Sequence, residues 1–107
     1  MNEAAIYGLL GICRKAGRLL SGDRQVRDGL GKKTGCLLLI AEDSSEERQK
    51  SYTDMAEQMQ IPWKIFGTKE TLGHALGRGP RTAVLITDPG FGRTISQKLT
   101  NGLCCRR

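Results

Sequence analysis

Residues 17–40 read GRLLSGDRQVRDGLGKKTGCLLLI, and this stretch decides the fold of the chain. It predicts a short strand at 18–21, a turn at Gly22, a short helix at 23–30 and a second strand at 36–40. The second strand is an uninterrupted apolar run, which is typical of a strand covered on both faces of a sheet. The stretch therefore begins the strand–helix alternation of an α/β protein.

The turn at Gly22 is the functional feature of this stretch. Glycine lets the backbone turn sharply and leaves the first N–H groups of the following helix pointing outward. A helix start with open N–H groups and a positive dipole end attracts an anion such as phosphate. Three arginines surround the turn, namely Arg18, Arg24 and Arg27. We therefore predict an anion-binding corner here, with a second basic loop of the chain beside it.

Strands and helices continue to alternate outward from this stretch. The other predicted helices are 3–16, 44–60, 69–76 and 89–99, and the other predicted strands are 63–66 and 82–87. This order predicts a three-layer α/β/α sandwich, with a single four-stranded mixed sheet and helices on both faces. At this length we expect one domain over residues 1–100, followed by a loose basic tail over 101–107.

The charges are unevenly distributed along the sequence. The 107 residues carry 17 Lys and Arg against 11 Asp and Glu, a net charge of +6. Residues 1–41 have a net charge of +4, residues 42–61 of −4 and residues 62–107 of +6. The folded chain is therefore expected to present a basic face and an acidic face, as a nucleic-acid-binding protein would.

The cysteine pattern argues against a metal site. The cysteines are Cys13, Cys36, Cys104 and Cys105, with no C-x-x-C pair and a single histidine in the chain. No zinc-ligand spacing exists, and free thiols of this kind fit a reducing compartment. The apolar run 4–13 is too short to span a bilayer. We therefore expect a cytoplasmic protein with no metal, no cofactor and no membrane association.

The sequence also argues against a nucleotide site and against catalysis. The Gly-x-Gly segments at 29–31, 77–79 and 90–92 lack the third glycine of a dinucleotide loop, and the single Gly-Lys step lacks the first glycine of a P-loop. His74 would have to carry any histidine-based catalysis, yet no nucleophile or carboxylate pair accompanies it in a recognisable pattern. We expect no catalytic residue.

The arginines beside glycine-built turns are the best candidates for binding phosphate, because backbone N–H groups and guanidinium donors could hold the same group there. These residues are Arg24, Arg27, Arg78 and Arg81. The sequence favours a solvated surface for Lys32, Lys33, Lys50 and Lys64. It favours a simple interaction with the helix dipole for Arg14 and Lys15 in the last turn of the first helix.

Several motifs together indicate a known family. They are LSG at 20–22 opening a helix, LLLIAED at 37–43, LGHALG at 72–77 and TD-x-GF at 87–91. With the order of elements, they make residues 4–99 resemble the kink-turn-binding ribosomal proteins of the L7Ae and L30e type, most closely the YlxQ-like branch. The resemblance implies a three-layer α/β/α sandwich that binds RNA, in many members at a sharply kinked internal loop.

The resemblance also implies where RNA would bind. At the start of the second helix the family has a glycine, then Asn-Glu after one residue, then Lys after two more. Here Gly22 keeps the glycine, Arg24 and Gln25 stand at the Asn-Glu positions, and Asp28 stands at the Lys position. The implied RNA-binding residues are Gly22, Arg24, Gln25, Arg27, Lys69, Arg78 and Arg81.

We therefore predict a non-enzymatic, monomeric RNA-binding protein associated with the ribosome or another ribonucleoprotein. It would recognise kink-turn-like RNA through the start of the second helix and the loop 77–81. One alternative, suggested by Asp28, is a binder of structured or ribosomal RNA without kink-turn preference. A second is a protein-interaction module in which the acidic helix 44–60 docks a partner.

Overall fold

Helices and strands alternate along residues 3–32 and 35–102, the part of the chain that this computed structural model describes. The helices are α1 (Glu3–Lys15), α2 (Asp23–Gly31), α3 (Glu46–Gln58), α4 (Lys69–Ala75) and α5 (Pro89–Gly102). The strands are β1 (Leu19–Ser21), β2 (Leu37–Ile40), β3 (Trp63–Ile65) and β4 (Ala83–Ile86). None of the described helices is long and apolar enough to cross a membrane.

The four strands form one mixed sheet in the order β1-β4-β2-β3. β4 pairs in antiparallel fashion with both β1 and β2, whereas β2 and β3 are parallel. Ser21 at the end of β1 faces Val84 near the start of β4. The predicted four-stranded mixed sheet is confirmed.

Alternating side chains of β2 divide the core between the two faces of the sheet. Leu37 and Leu39 pack with residues of α1, α4 and α5, while Leu38 and Ile40 pack with residues of α2 and α3. All four side chains are buried, which explains why β2 is an uninterrupted apolar run. The structure is therefore the predicted three-layer α/β/α sandwich.

The predicted element boundaries agree with the structure to within two residues, apart from the end of α5. The sequence pattern ends this helix at Leu99, whereas it continues to Gly102 because no proline or glycine interrupts residues 99–101. Residues 103–107 of the predicted tail lie outside the described residues. Asp88 caps α5 as the sequence indicates, since its Oδ1 accepts the N–H of Gly90 at 2.7 Å.

The start of α3 differs from the sequence expectation. The sequence lets Asp43 or Ser44 begin this helix, with Ser44 and Glu47 at capping-box spacing, and this is wrong. Ser45 is the cap, and its hydroxyl oxygen accepts the N–H of Arg48 at 3.2 Å. Ser44 is instead buried in the turn after β2, where its hydroxyl donates to the carbonyl of Ala41 at 2.8 Å. Because the Ser44 hydroxyl is engaged in this turn, Ser45 caps the helix, which begins at Glu46.

The two described cysteines are structural, as expected from their apolar surroundings. Cys13 is fully buried, and its Sγ donates to the carbonyl of Arg18 at 3.0 Å. Burial, together with the nearby Asp88 carboxylate, raises the pKa of Cys13 to about 11. Burial also raises the pKa of Cys36. Cys104 and Cys105 lie outside the described residues.

Three helices end in the same backbone motif. After α1, α3 and α4, the residue beyond the C-cap adopts the left-handed conformation, namely Gly17 (φ 73°), Gln60 (φ 61°) and Gly77 (φ 69°). In each case the N–H of the next residue donates to the carbonyl five residues earlier, at 2.8–3.0 Å. This is the Schellman motif, which favours glycine because side chains other than glycine are strained at positive φ.

We predict that Gln60→Gly stabilises the protein. Glycine removes the strain at φ 61° without loss of the motif's hydrogen bonds, so the free energy of unfolding should rise by about 0.5–1 kcal/mol. Urea denaturation measures this change. Gln58→Gly is the matched control, because it places glycine at the last helical position of α3 and should lower the same free energy by up to about 1 kcal/mol. Destabilisation by both substitutions would contradict the prediction.

Candidate functional site

The antiparallel pairing of β1 with β4 brings two distant turns of the chain together. The Gly22 turn directly follows β1, and loop 77–81 precedes β4 by one residue. Because Ser21 faces Val84 in the sheet, these turns lie side by side at the same end of the strand pair. The second basic loop that the sequence places beside the Gly22 turn is therefore next to it in the structure.

A groove with a volume of about 460 Å³ lies at this corner, and we call it the basic groove. It is lined by Arg14, Lys15, Leu19, Ser21, Gln25, Arg78 and Arg81. Four of these seven side chains are cationic, and no acidic side chain lines the groove. The residues come from the end of α1, from β1, from α2 and from the loop 77–81. The surface is suited to an anionic ligand.

The start of α2 borders the basic groove. Gly22 caps this helix with φ 95° and ψ 141°, a backbone conformation open to glycine and strained for other residues. It has no side chain to cap the helix, and the first intrahelical bond described runs from the N–H of Val26 to the Gly22 carbonyl. The preceding N–H groups are therefore available to an acceptor, as predicted from the sequence.

Asp23, the first residue of α2, fixes this helix start against α3. Its Oδ1 accepts hydrogen bonds from the Tyr52 hydroxyl, from Arg27 Nε at 3.0 Å and from Arg48 Nη1 at 3.2 Å. Arg27 also lies over the Tyr52 ring, with 4.8 Å between the guanidinium carbon and the ring centroid. One carboxylate thus joins three side chains from two helices.

The same contacts shift the pKa values of the two partners in opposite directions. The Tyr52 hydroxyl bond, with help from Arg27 and Arg48, lowers the pKa of Asp23 below its ordinary value. Burial, and then the bond to Asp23, raises the pKa of Tyr52 to about 12. Both shifts favour a charged carboxylate that accepts from a neutral phenol at neutral pH.

The loop 77–81 is held in place by backbone contacts. The N–H of Arg78 donates to the carbonyl of Gly73 at 2.8 Å, and the N–H of Arg81 donates to the carbonyl of Lys69 at 3.0 Å. A Cβ atom on Gly73 would lie 2.1 Å from the carbonyl oxygen of Gly79. The glycine in the LGHALG motif therefore lets the loop fold back onto α4.

The Arg81 side chain lies along its own loop. Its Nη1 donates to the carbonyls of Pro80 at 3.1 Å and Gly79 at 3.4 Å. Its Nε is buried, and the described structure gives it no hydrogen-bond partner. A buried donor of this kind is costly, so the guanidinium would gain from an acceptor that entered the groove.

The structure brings together some of the predicted site residues. Gln25, Arg78 and Arg81 line the basic groove, and Gly22 lies beside it at the helix start. Arg24 is exposed on the first turn of α2, next to Gln25, although it does not line the groove itself. Gly22, Gln25, Arg78 and Arg81 thus lie together at the β1–β4 corner, and Arg24 adjoins Gln25 in the first turn of α2.

The other two predicted residues have structural contacts. The Arg27 guanidinium lies between α2 and α3, where Nη1 donates to the Ser51 hydroxyl at 2.9 Å in addition to its contacts with Asp23 and Tyr52. Lys69 begins α4, and its N–H donates to Asp43 Oδ1 at 2.9 Å. The Lys69 carbonyl fixes Arg81, but its side chain does not line the groove.

The sequence pattern did not indicate Arg14 and Lys15 as site residues, because it favoured an interaction of both with the dipole of α1. Both line the basic groove, because the three-residue strand β1, roughly 10 Å long, is the only strand or helix between the end of α1 and the start of α2. The short separation between Lys15 and Gly22 in the sequence is the signal that could have indicated that both ends lie close together.

His74, the single histidine of the chain, lies on the exposed side of α4, away from the basic groove. With Tyr7, Glu70 and Thr71 it lines a separate surface depression of about 370 Å³. Tyr7 donates to the Thr71 hydroxyl at 2.9 Å. Within residues 3–32 and 35–102, no group of three or more His, Cys, Asp or Glu side chains is placed to hold a metal ion.

Comparisons with known proteins match nearly the whole chain. The family described as ribosomal protein L7Ae/L30e/S12e/Gadd45 matches residues 4–95. RNA-binding protein YlxQ of Bacillus subtilis (strain 168) is 29% identical over 95 residues, covering 89% of this chain and 95% of that protein. RNA-binding protein YlxQ of Enterococcus faecium is 25% identical, covering 86% and 88%. The solved structure of a protein of unknown function from Bacillus halodurans has a TM-score of 0.87 at 29% identity, covering 92% of this chain and 100% of its own.

We predict that Asp23→Asn destabilises the protein at neutral pH and that this destabilisation disappears at acidic pH. Removal of the charge weakens three hydrogen bonds, and about 1 kcal/mol is expected because the carboxylate is nearly half exposed. The folded-state pKa is depressed, so this contribution is complete above the unfolded pKa near 3.8 and disappears as pH falls through the folded value.

Urea denaturation of both proteins from pH 7 down to about pH 2 measures the difference. Asp54→Asn is the matched control, since Asp54 is exposed and its ion pair within the described part of the chain is with Lys50 at 3.7 Å. Its effect should stay within about 0.5 kcal/mol. A destabilisation by Asp23→Asn that did not change with pH would contradict the role of the charge.

We predict that Gly73→Ala displaces the loop 77–81. The added methyl group would meet the backbone of Gly79, which cannot yield as a flexible side chain would, so a loss of about 1–3 kcal/mol in the free energy of unfolding is expected. Amide chemical shifts of the loop should change together with this loss. In Gly79→Ala the new Cβ meets nothing within 4 Å, so this variant should leave the free energy of unfolding nearly unchanged and shift only the amides of residue 79 and its immediate neighbours.

Proposed function

The chain belongs to the ribosomal protein L7Ae/L30e/S12e/Gadd45 family, and on this basis we propose that it binds structured RNA through the basic groove. The predicted resemblance to the L7Ae type and its YlxQ-like branch is confirmed. Two of the relatives are named as RNA-binding proteins, which supports RNA as the ligand of this chain. The family consists of RNA-binding proteins and not of enzymes, which confirms the predicted non-enzymatic function.

One observation carries the proposal, namely that four cations and an open helix start share one corner of the fold. Arg14, Lys15, Arg78 and Arg81 line the groove, and the uncapped start of α2 borders it. Side-chain cations and backbone N–H groups are the two kinds of donor that bind phosphate oxygens most effectively. Together they can contact several successive phosphates of an RNA strand.

The proposed binding mode follows from how the donors are held. The groove cations supply most of the affinity through phosphate contacts, and Gln25 and Arg24 reach base edges beside the helix start. The RNA has to match the angle between the start of α2 and the loop 77–81, both of which are fixed by hydrogen bonds. Recognition would therefore depend on the shape of the RNA more than on its sequence.

A kinked internal loop fits this requirement, because it presents phosphates from two directions at one corner. Asp28 is the residue that would oppose such binding if its charge faced the RNA backbone. Its carboxylate pairs with Lys32 at 3.2 Å, four residues further along α2, which reduces that repulsion. A structured RNA without a kink turn is the second candidate ligand, favoured by the acidic residue itself.

We further propose that the RNA-binding domain spans residues 1–100 and acts as a cytoplasmic monomer. A protein that binds structured RNA would be associated with the ribosome or another ribonucleoprotein. In this proposal Arg27 positions the start of α2, and Lys69 positions Arg81. Their direct contact with RNA stays a prediction.

We predict that the double substitution Arg14→Gln with Arg78→Gln weakens RNA binding by about tenfold or more. Both side chains are exposed and line the groove, so their removal takes away phosphate contacts without disturbing the core. The slope of the logarithm of the binding constant against the logarithm of salt concentration should become shallower by about 2, since each arginine neutralises one phosphate. Titration of a labelled structured RNA across a series of salt concentrations measures both quantities.

The matched control is Lys50→Gln with Arg93→Gln. It lowers the net charge by the same amount at two exposed positions on α3 and α5 that do not line the basic groove. Its affinity should change less than about threefold. Equal losses of affinity in the two double variants would show that net charge, and not the groove, holds the RNA.

A second titration separates the two kinds of RNA. A kink-turn RNA and a plain duplex of equal length are compared at about 50 and 200 mM salt. We expect tighter binding of the kinked RNA than of the duplex at both salt concentrations, because its shape fits the corner, while the affinity for each RNA falls as the salt concentration rises. Equal and salt-sensitive binding of both would favour the second candidate, and binding of neither would remove RNA as the ligand.

A further inference from the structure

The strand β3 lies at an open edge of the sheet, opposite the edge formed by β1. The N–H of Leu38 donates to the Pro62 carbonyl at 2.9 Å, and the N–H of Phe66 donates to the Ile40 carbonyl at 2.9 Å. In a parallel pair, alternate residues direct their peptide groups to the neighbouring strand. The peptide N–H and C=O groups of Trp63 and Ile65 therefore face away from β2, where a further strand could pair with them.

An apolar surface lies next to these peptide groups. Ile65 is 38% exposed, and of the described residues the only other large apolar side chain classed as exposed is Ile12 on α1. Ile65 and the half-buried Trp63 line a shallow groove of about 430 Å³ between β3 and α3. The edge thus offers backbone pairing together with a place for an aliphatic side chain.

The charge around this groove is negative. Residues 42–61, which include α3, carry six acidic and two basic side chains. At the groove itself, Lys50 pairs with Asp54 at 3.7 Å, whereas no ion pair is described for Glu46. A segment that entered here would therefore be favoured by basic side chains and disfavoured by acidic ones.

We propose that the β3 edge binds an extended segment of a partner protein in which an aliphatic residue has basic residues two positions before and after it, so that all three side chains lie on the α3 face of the sheet. The segment adds a fifth strand beside β3, places an aliphatic side chain between Trp63 and Ile65, and directs its basic side chains towards α3. Peptide hydrogen bonds supply affinity and the apolar and acidic surfaces supply selectivity. The proposal goes beyond RNA binding and does not depend on it.

The position of the edge allows both ligands to bind at once. The basic groove borders β1, and the strands β4 and β2 separate β1 from β3. Three strand spacings amount to roughly 14 Å across the sheet. The protein could therefore join a structured RNA on one side to a basic segment of another protein on the other.

Trp63 provides a direct test, because it is the single tryptophan of the chain and lies in the edge strand. The probe is a seven-residue peptide with lysine, valine and lysine at positions 2, 4 and 6, which share one face of an extended strand, and threonine elsewhere, titrated into the protein without RNA. We expect a saturable change in tryptophan fluorescence. A peptide with glutamate in place of lysine, and one with a central proline that removes a peptide N–H, should bind at least tenfold more weakly.

Two protein variants complete the test. Ile65→Gln should weaken binding of the lysine peptide by about tenfold, the decrease expected when an apolar side-chain contact is removed. Ile12→Gln changes the other exposed isoleucine and should bind the peptide as the unaltered protein does. Both variants should bind RNA unchanged, so failure of this proposal is distinguishable from failure of the RNA proposal.

Three results would overturn the proposal. They are the absence of any fluorescence change up to about 1 mM lysine peptide, equal binding of the glutamate peptide, and equal binding by the Ile65 and Ile12 variants. The last result would place the peptide elsewhere on the protein.

Discussion

The antiparallel pairing of β1 with β4 is the constraint on which the functional surface depends. β1 has only three residues, and its register sets Ser21 opposite Val84. Segments more than fifty residues apart in sequence become neighbours through this pairing, and the short strand also keeps the end of α1 close to the start of α2. α1 also packs directly against α4, where a Cβ atom on Gly11 would lie 3.3 Å from the Ala75 carbonyl oxygen, so the helices also hold the end of α1 near the loop 77–81.

The geometry of the corner is determined mainly by the backbone. Gly22 supplies a positive φ at the start of α2, Gly77 supplies one at the end of α4, and Gly73 leaves room for the carbonyl of Gly79. A chain of hydrogen bonds leads from Asp43 through the N–H and carbonyl of Lys69 to the N–H of Arg81. Donors held in this way lose little conformational freedom on binding, which favours recognition of a rigid shape.

Much of the fold could be predicted from the sequence because its signals are local. The apolar run of β2, the caps of α2 and α5 and the glycines after α1 and α4 each act over a few residues. Ser44 and Ser45 could not be distinguished in this way, since both are suitable caps and the choice depends on a hydrogen bond to Ala41 across the turn. The end of α5 could not be located because no helix-breaking residue follows Leu99 before Gly102.

The candidate site was harder to predict, because the role of an arginine depends on what surrounds it. Arg27 has the same sequence setting as Arg24, yet Asp23, Ser51 and Tyr52 engage its guanidinium between two helices. Arg14 resembles an ordinary cation at a helix end until the sheet places it beside Arg78. Which cations are free for a ligand is thus a tertiary property.

The sheet that forms the basic groove also separates it from the acidic surface of α3. α2 packs over β1 and β4, and α3 packs over β2 beside it, so the acidic segment lies towards the β3 edge and the basic groove towards the β1 edge. Asp23 and Arg48 join the two helices without bringing the acidic surface of α3 into the groove. A polyanion bound at β1 is therefore kept away from the carboxylates of α3, and a basic segment at β3 would not compete with it for the same charges. One small sheet can in this way present one surface that favours anionic ligands and another that favours basic ones.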